Sequence, residues 1–148
     1  MACRVLLLIV LLGVTARLTE ARCGRKSQNV KVDNCTGKVC TLPKGGNTGI
    51  TIRFRPDKPY DRLKAKVTGV LGGIRVPFAG VPSDACSGLQ QGACPVQPGQ
   101  EYVYRADIPV SRAYPSVSTR SAQRSSSFLV DAETDESVAC SLIRVRIR

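Results

Sequence analysis

The stretch Ile50-Thr51-Ile52-Arg53-Phe54-Arg55 alternates apolar and polar side chains one by one until Pro56 ends the run. A period of two puts every apolar group on one face of an extended strand, whereas a helix would scatter the same residues around its axis. The pattern recurs in Leu63-Lys64-Ala65-Lys66-Val67-Thr68 and at the end of the chain, where Ile143, Val145 and Ile147 alternate with Arg144, Arg146 and Arg148. Residues 101–110 read as a further strand, with Tyr102 and Tyr104 on a shared face and Pro109 interrupting its end. Turn residues at Lys44-Gly45-Gly46-Asn47, Asp57-Lys58-Pro59 and Gln97-Pro98-Gly99 separate the runs at short intervals. The series predicts an all-β fold, an antiparallel β-sandwich.

The start of the chain points to export. Arg4 precedes an almost unbroken apolar run over residues 5–14, and Val14-Thr15-Ala16 supplies small residues for cleavage. That run is too short to span a bilayer as a helix. Residues 1–16 are therefore read as a signal peptide and residues 17–148 as a single domain; Thr19-Glu20-Ala21 is the alternative cleavage position, after Ala21. Losing the leader removes Cys3 and Arg4, so seven cysteines become six and a net charge of +11 becomes +10.

An even cysteine count in an exported chain predicts three disulfides. Spacing alone allows fifteen pairings, but Cys35 and Cys40 are close enough to clip one loop and Cys86 and Cys94 another, which leaves Cys23 and Cys140 to staple first strand to last. The chain contains no histidine, which removes the commonest general base, the usual catalytic triads and the usual nitrogen ligand for zinc. The expectation is a protein that is not an enzyme, with no cofactor and no metal.

One tract departs from the alternation. Residues 118–127 contain no apolar side chain larger than alanine, a composition of loop or disordered insert, although the sandwich needs a strand there. A one-base shift across the codons of Thr119-Arg120-Ser121-Ala122 can encode Leu-Val-Val, which is strand-like; the alternative is a genuine polar insert.

Residues 72–86, Gly72-Gly73-Ile74-Arg75-Val76-Pro77-Phe78 through Cys86, place a phenylalanine on backbone too broken for a core strand. This segment joins an ordered set of others: Cys35…Cys40-Thr41-Leu42-Pro43-Lys44-Gly45, Val67-Thr68-Gly69-Val70-Leu71, Cys86…Cys94-Pro95-Val96, Tyr102-Val103-Tyr104, Ile108-Pro109-Val110 and Tyr114-Pro115-Ser116-Val117. Together they resemble the ML lipid-recognition family over about residues 20–148. The resemblance implies an immunoglobulin-like sandwich with an apolar cavity between its sheets and a lipid held there. It implies the pairings Cys23 with Cys140, Cys35 with Cys40 and Cys86 with Cys94. It also implies an entrance framed by Phe78, Val110 and Tyr114, so that Phe78 sits on broken backbone because it lines a mouth and moves.

The inward aliphatic positions available to such a cavity are Ile50, Ile52, Phe54, Val67, Val76, Val110, Val117, Ile143 and Val145, with Tyr114 and Pro115 serving as pocket wall or as structural corner. Read without the resemblance, the same rows serve as a filled core. Two departures stand out: Ser141 occupies the place where sterol carriers of the family have an aromatic, and the chain has no tryptophan.

Cationic side chains lie on the outer positions of the strands, at Arg53, Arg55, Lys64, Lys66, Arg144, Arg146 and Arg148, and in loops at Lys38, Lys44, Lys58, Arg62 and Arg75. They keep an exported chain soluble and discourage edge pairing, or draw it to anionic membranes. Nucleic acid is not an expected partner, because no recognition fold accompanies the charge. Asp131-Ala132-Glu133-Thr134-Asp135-Glu136 lacks the glycine and spacing of a calcium loop and reads as a turn. Asn34-Cys35-Thr36 satisfies the N-glycosylation pattern beside a cysteine expected to be bridged.

The function expected from these readings is a secreted monomeric carrier, delivered outside the cell or to the lysosome lumen, that binds and transfers a sterol or other apolar lipid. It would exchange that lipid at anionic membranes or with a membrane sterol acceptor. The alternatives are innate-immune recognition of a bacterial glycolipid, its acyl chains in the same cavity and its phosphates on a cationic rim, and a disulfide-stapled protein with a filled core.

Overall fold

The computed structural model describes residues 29–71, 74–78, 80–116 and 123–148, including their side chains except for those of Leu71 and residues 123–128. The leader with both cleavage positions, Cys23 and Val117 lie outside the described residues.

Among the described residues nine strands form two sheets: β1 (Asn29–Val32), β2 (Cys40–Leu42), β3 (Asn47–Phe54), β4 (Leu63–Leu71), β5 (Ile74–Pro77), β6 (Leu89–Gln91), β7 (Tyr102–Pro109), β8 (Gln123–Asp131) and β9 (Ser137–Ile147). A 3-10 turn, Cys86–Gly88, precedes β6. One sheet has the order β1-β3-β7-β6 and the other β2-β9-β8-β4-β5. The expected all-β sandwich is therefore present. The expectation of purely antiparallel pairing needs one correction, since β2 runs parallel to β9, with Cys40 opposite Val145 and Leu42 opposite Ile147. Antiparallel neighbours can be joined by tight turns, whereas β2 is brought to β9 from the far end of the chain.

Alternation governs burial as expected. Along β3, Ile50, Ile52 and Phe54 are buried while Arg53 is exposed; along β7, Tyr102, Tyr104, Ala106 and Ile108 are buried. The facing sheet contributes Leu63 and Val67 from β4, Leu129 from β8, and Ala139, Val145 and Ile147 from β9. At the end of the sandwich where β3 finishes and β7 starts, aromatic rings fill the gap. Phe54 stacks on Tyr102 with centroids 5.7 Å apart and an interplanar angle of 28°. The Tyr102 hydroxyl accepts from the Gln97 N–H and donates to Gln100 Oε1, both at 2.9 Å, so the ring is buried without orphaning its polar tip.

The polar tract is a second correction. Its backbone is strand from Gln123 onward: Ser127 pairs with Val67 on one side and with Ser141 on the other, and Ser125 pairs with Gly69 and Ile143. Composition disfavours a strand there, but β4 and β9 flank the gap and each presents a row of backbone donors and acceptors that only another strand can satisfy.

Disulfides Cys35–Cys40 and Cys86–Cys94 are formed, with Cα separations of 5.0 and 5.7 Å. Cys140 is also disulfide-bonded, while its expected partner, Cys23, lies outside the described residues. Asn34 is exposed and left-handed (φ 56°) in the turn before Cys35, a conformation asparagine tolerates.

On the outer face of the four-stranded sheet Arg105 clamps Asp33. Its Nη2 donates to Asp33 Oδ2 at 2.6 Å and its Nη1 to Asp33 Oδ1 and to Thr51 Oγ1, each at 3.3 Å. Gly49 makes the room: a Cβ there would lie 2.3 Å from both Arg105 Nη2 and Asp33 Oδ2. The fork ties the loop after β1 to β7 across β3. Hydrogen bonding to Arg105 holds the Asp33 carboxyl below its ordinary pKa of 3.8.

Two predictions follow from this architecture. Phe54→Ala removes a buried ring and its stacking partner's support, so the denaturant midpoint should fall by an amount equivalent to about 3–5 kcal/mol with the slope unchanged. For Asp33, a carbon-detected NMR titration should give a midpoint below 3.8, moving up in Arg105→Gln. Because the folded carboxyl is the stronger acid, its stabilisation is complete above the unfolded pKa and is lost as pH falls through the folded one. The stability advantage of the wild type over Arg105→Gln should shrink over that interval.

Candidate functional site

The opposite end of the sandwich is filled differently. Where β2 ends, β3 begins and β7 and β9 finish, the inward side chains are Leu42, Thr48, Ile50, Val67, Ile108, Ile143 and Val145. With Phe78 they surround an apolar cavity of about 10 Å³, roughly the space of one water. The cavity expected from the resemblance is thus a narrow seam in this structure. Apolar rows close on one another because every void forfeits dispersion contacts on its lining. Among the described residues no side-chain hydrogen bond or ion pair joins the two inner faces at this end; the seam is held by packing alone.

Phe78 covers the seam from the side. It follows β5, its N–H donates to the Val67 carbonyl at 2.9 Å, and its ring lies over Gly69, where a Cβ would come within 2.7 Å of Phe78 Cε2. The glycine is what lets a phenyl ring lie flat on the inner face of β4. Tyr114 meets that ring edge-on, with centroids 5.3 Å apart at 71°. Val110, 1% exposed, and Tyr114 also line an open depression of about 290 Å³ with Gly45, Gly46, Asn47, Pro109, Ser111 and Arg112.

The rim beside this depression is latched by main-chain bonds. Lys44 N–H donates to the Arg148 carbonyl and Gly45 N–H to the Val110 carbonyl, both at 2.7 Å, and Val110 N–H donates to the Gly46 carbonyl at 2.9 Å. The turn between β2 and β3 therefore ties the end of β9 to the end of β7. On the other side the contact of Phe78 with Tyr114 is aromatic only, so this is the softer edge.

The sequence-derived lining is brought together in part. Ile50, Val67, Phe78, Ile143 and Val145 meet at the seam, and Val110 and Tyr114 line the open depression, with Tyr114 in contact with Phe78. Ile52 and Phe54 lie farther along β3 in the filled core, Val76 is half-buried on the edge strand β5, and Pro115 is exposed. Leu42, Thr48 and Ile108 line the seam without having been singled out. Leu42 belongs to a three-residue strand too short to show alternation, Ile108 precedes a proline that reads as a strand end, and Thr48 is polar.

Outside the seam, much of the surface charge is paired. Arg53 and Arg55 reach Glu101 at 3.6 and 3.8 Å, and Lys66 reaches Asp135 at 2.8 Å; exposed pairs such as these contribute little to stability. Asp131 accepts from Thr134 N–H at 3.0 Å and Thr134 Oγ1 at 2.6 Å, which makes the acidic segment a self-bonded turn. Among the described residues no group of three or more His, Cys, Asp or Glu is placed to hold a metal, and no helix is long and apolar enough to cross a membrane.

Comparison with known proteins agrees with this geometry. The family model described as ML domain matches residues 20–147. A mite group 2 allergen from Tyrophagus putrescentiae is 28% identical over 116 residues, covering 78% of this chain and 80% of the allergen. The mouse protein named NPC intracellular cholesterol transporter 2 is 36% identical over 99 residues, 64% of each chain, so the match spans just under two thirds of that relative. Among solved structures, a Niemann-Pick type C2 protein from Japanese carpenter ant superposes with a TM-score of 0.70 at 22% identity, covering 85% of this chain and 96% of the ant protein; the likeness is one of fold. With the model matched over nearly the whole described domain, the chain belongs to the ML-domain family.

Proposed function

We propose that this protein is a secreted, non-enzymatic lipid carrier that holds a sterol between its two sheets, entering past Phe78 and Tyr114. The observation that carries the reading is the seam itself: seven apolar side chains and one threonine facing each other with no polar tie across them, covered by a single aromatic contact. Family membership and the cholesterol transporters among its relatives support a sterol as cargo, and the leader at residues 1–16 supports export.

Energetics favours such a site without any catalytic group. Removing about 400 Å² of apolar ligand surface from water contributes roughly 10 kcal/mol at about 25 cal/mol per Å². Immobilising the ligand and parting the sheets take a share of that, which still leaves useful affinity. On the Phe78 side, parting them breaks dispersion contacts, because the hydrogen-bond ladders run within each sheet, while the main-chain bonds of the β2–β3 turn to Arg148 and Val110 stay in place on the other side. Near Phe78, Ile74 is 69% exposed and Arg75 is exposed beside it; an apolar tip with an adjacent cation suits transient contact with an anionic membrane during transfer.

Titration of the purified mature chain with a fluorescent sterol should give one site per chain with a dissociation constant at or below about 1 μM, changing less than about twofold between 50 and 500 mM salt. Native mass spectrometry of protein taken from its source should show a bound sterol. Displacement of the probe by lipopolysaccharide that weakens steeply as salt rises would instead indicate the glycolipid reading, and absence of any bound lipid would overturn the carrier. A second prediction concerns the gate. Gly69→Ala puts a methyl where the Phe78 ring lies, while strand alanine is intrinsically better tolerated than glycine. Stability should therefore change by less than about 1 kcal/mol, whereas the NMR contacts between Phe78 and Tyr114 should be lost and sterol release accelerated several-fold.

A further inference from the structure

Thr48 breaks the chemistry of the seam. It is 6% exposed, lines the cavity between Leu42, Ile50 and Ile108, and its hydroxyl makes no hydrogen bond to any described residue. Its oxygen is nevertheless not sealed in by protein atoms, since the one fully enclosed side-chain polar atom lacking a partner among the described residues is Arg146 Nε. A buried hydroxyl without a partner is destabilising, and valine would fill the same space without that cost. A water is a poor permanent partner here, because a stable buried water needs two to four polar groups and the other seven lining side chains are apolar.

The position along the strand defines what would satisfy it. Gly46 lies at the rim, bonded to Val110, and Thr48 is two residues inward on β3, opposite Ile108. At about 3.3 Å per residue the hydroxyl stands roughly 6–7 Å behind the rim. The open depression lined by Ser111 and Arg112 would take the polar end of an amphiphile, within reach of water. An oxygen at Thr48 is therefore a second one, carried on the body of the ligand.

Resting on the carrier reading above, we propose that Thr48 is a specificity-determining residue that selects a sterol oxygenated on its ring system, a hydroxyl or ketone about 6–7 Å from the terminal hydroxyl, over the unsubstituted sterol. A site that offers a hydrogen bond inside an apolar wall discriminates against the analogue that leaves it unmade.

The test uses cholesterol and 7-ketocholesterol as probes, competed against the same fluorescent sterol on the full mature chain. The wild type should bind 7-ketocholesterol about tenfold more tightly. Thr48→Val should bring the two affinities within about twofold, chiefly by tightening cholesterol and loosening the ketone, and its ligand-free thermal midpoint should be equal to or higher than the wild type's. Thr48→Ser, which keeps the hydroxyl, should keep the preference. Equal binding of the two sterols by the wild type, a preference for cholesterol, or an unchanged ratio in Thr48→Val each overturns the inference while leaving the carrier intact. Failure of both sterols to bind overturns the carrier reading and this inference with it.

Discussion

The stack of Phe54 on Tyr102 fills one end of the sandwich with large, buried rings. Two sheets that meet largely through side chains can be held apart, or held together, by what fills the space between them. At the aromatic end that space is occupied by the Phe54 and Tyr102 rings, paired across β3 and β7 of one sheet, with the Tyr102 hydroxyl bonded to the Gln97 N–H and to Gln100 Oε1. Toward the other end the fill changes to leucine, isoleucine and valine with Gly69 and Ala106 among them, and the faces settle to contact. The sandwich is thus pinned at one end and merely closed at the other. On the carrier reading, a motion that parts the faces would open the end that carries Phe78 and Tyr114.

The latch formed by the turn between β2 and β3 restricts that motion further. Its bonds to the Arg148 and Val110 carbonyls join the two sheets on one side of the mouth, leaving the Phe78 side as the free edge. β5 suits this role. It is a four-residue edge strand, held to β4 alone, and two prolines close by, Pro77 and Pro82, keep its continuation out of a second ladder. A short, weakly paired edge moves at less expense than a central strand. The fork between Arg105 and Asp33 does the opposite on the far face of the other sheet, tying β1 and β7 across β3.

How much of this was legible depended on whether the signal was local. Period-two alternation located β3, the start of β4, the body of β7 and the end of β9, because one face of each is buried and the other wet. It failed for β1, β2 and β6, which at three or four residues hold too few alternations to read, and for β8, whose residues 123–127 are polar. There the preference of the segment is overridden by its neighbours: β4 and β9 leave a gap one strand wide, and an unpaired ladder inside a sheet is more costly than serine in a strand. Parallel pairing of β2 with β9 was equally invisible, being a property of the long path between residues 42 and 145. In the site, Phe78, Val110 and Tyr114 were singled out through the family motifs, and Phe78 lines the seam while Val110 and Tyr114 line the depression beside the rim. Alternation assigned Ile52 and Phe54 to the same inward row as Ile50, but it carries no information on where along that row aromatic fill gives way to seam. Thr48 was missed because a polar residue on an inward row reads as a strand end.

The closed seam also bears on how a carrier can be both stable and exchangeable. A permanently hollow sandwich would forfeit dispersion contacts over its whole lining and weaken the fold by an amount that grows with cavity size. A permanently filled one would have nowhere to place a ligand. Rows of branched aliphatics that meet when the space between them is small, and can part on the side away from the main-chain latch, avoid both outcomes. The surface that would be wetted on opening is covered by the ligand's own apolar surface, so the faces exchange one set of dispersion contacts for another. On the carrier reading, the opening at the Phe78 edge would set the exchange rate, since there the cover is the aromatic contact of Phe78 with Tyr114 over Gly69.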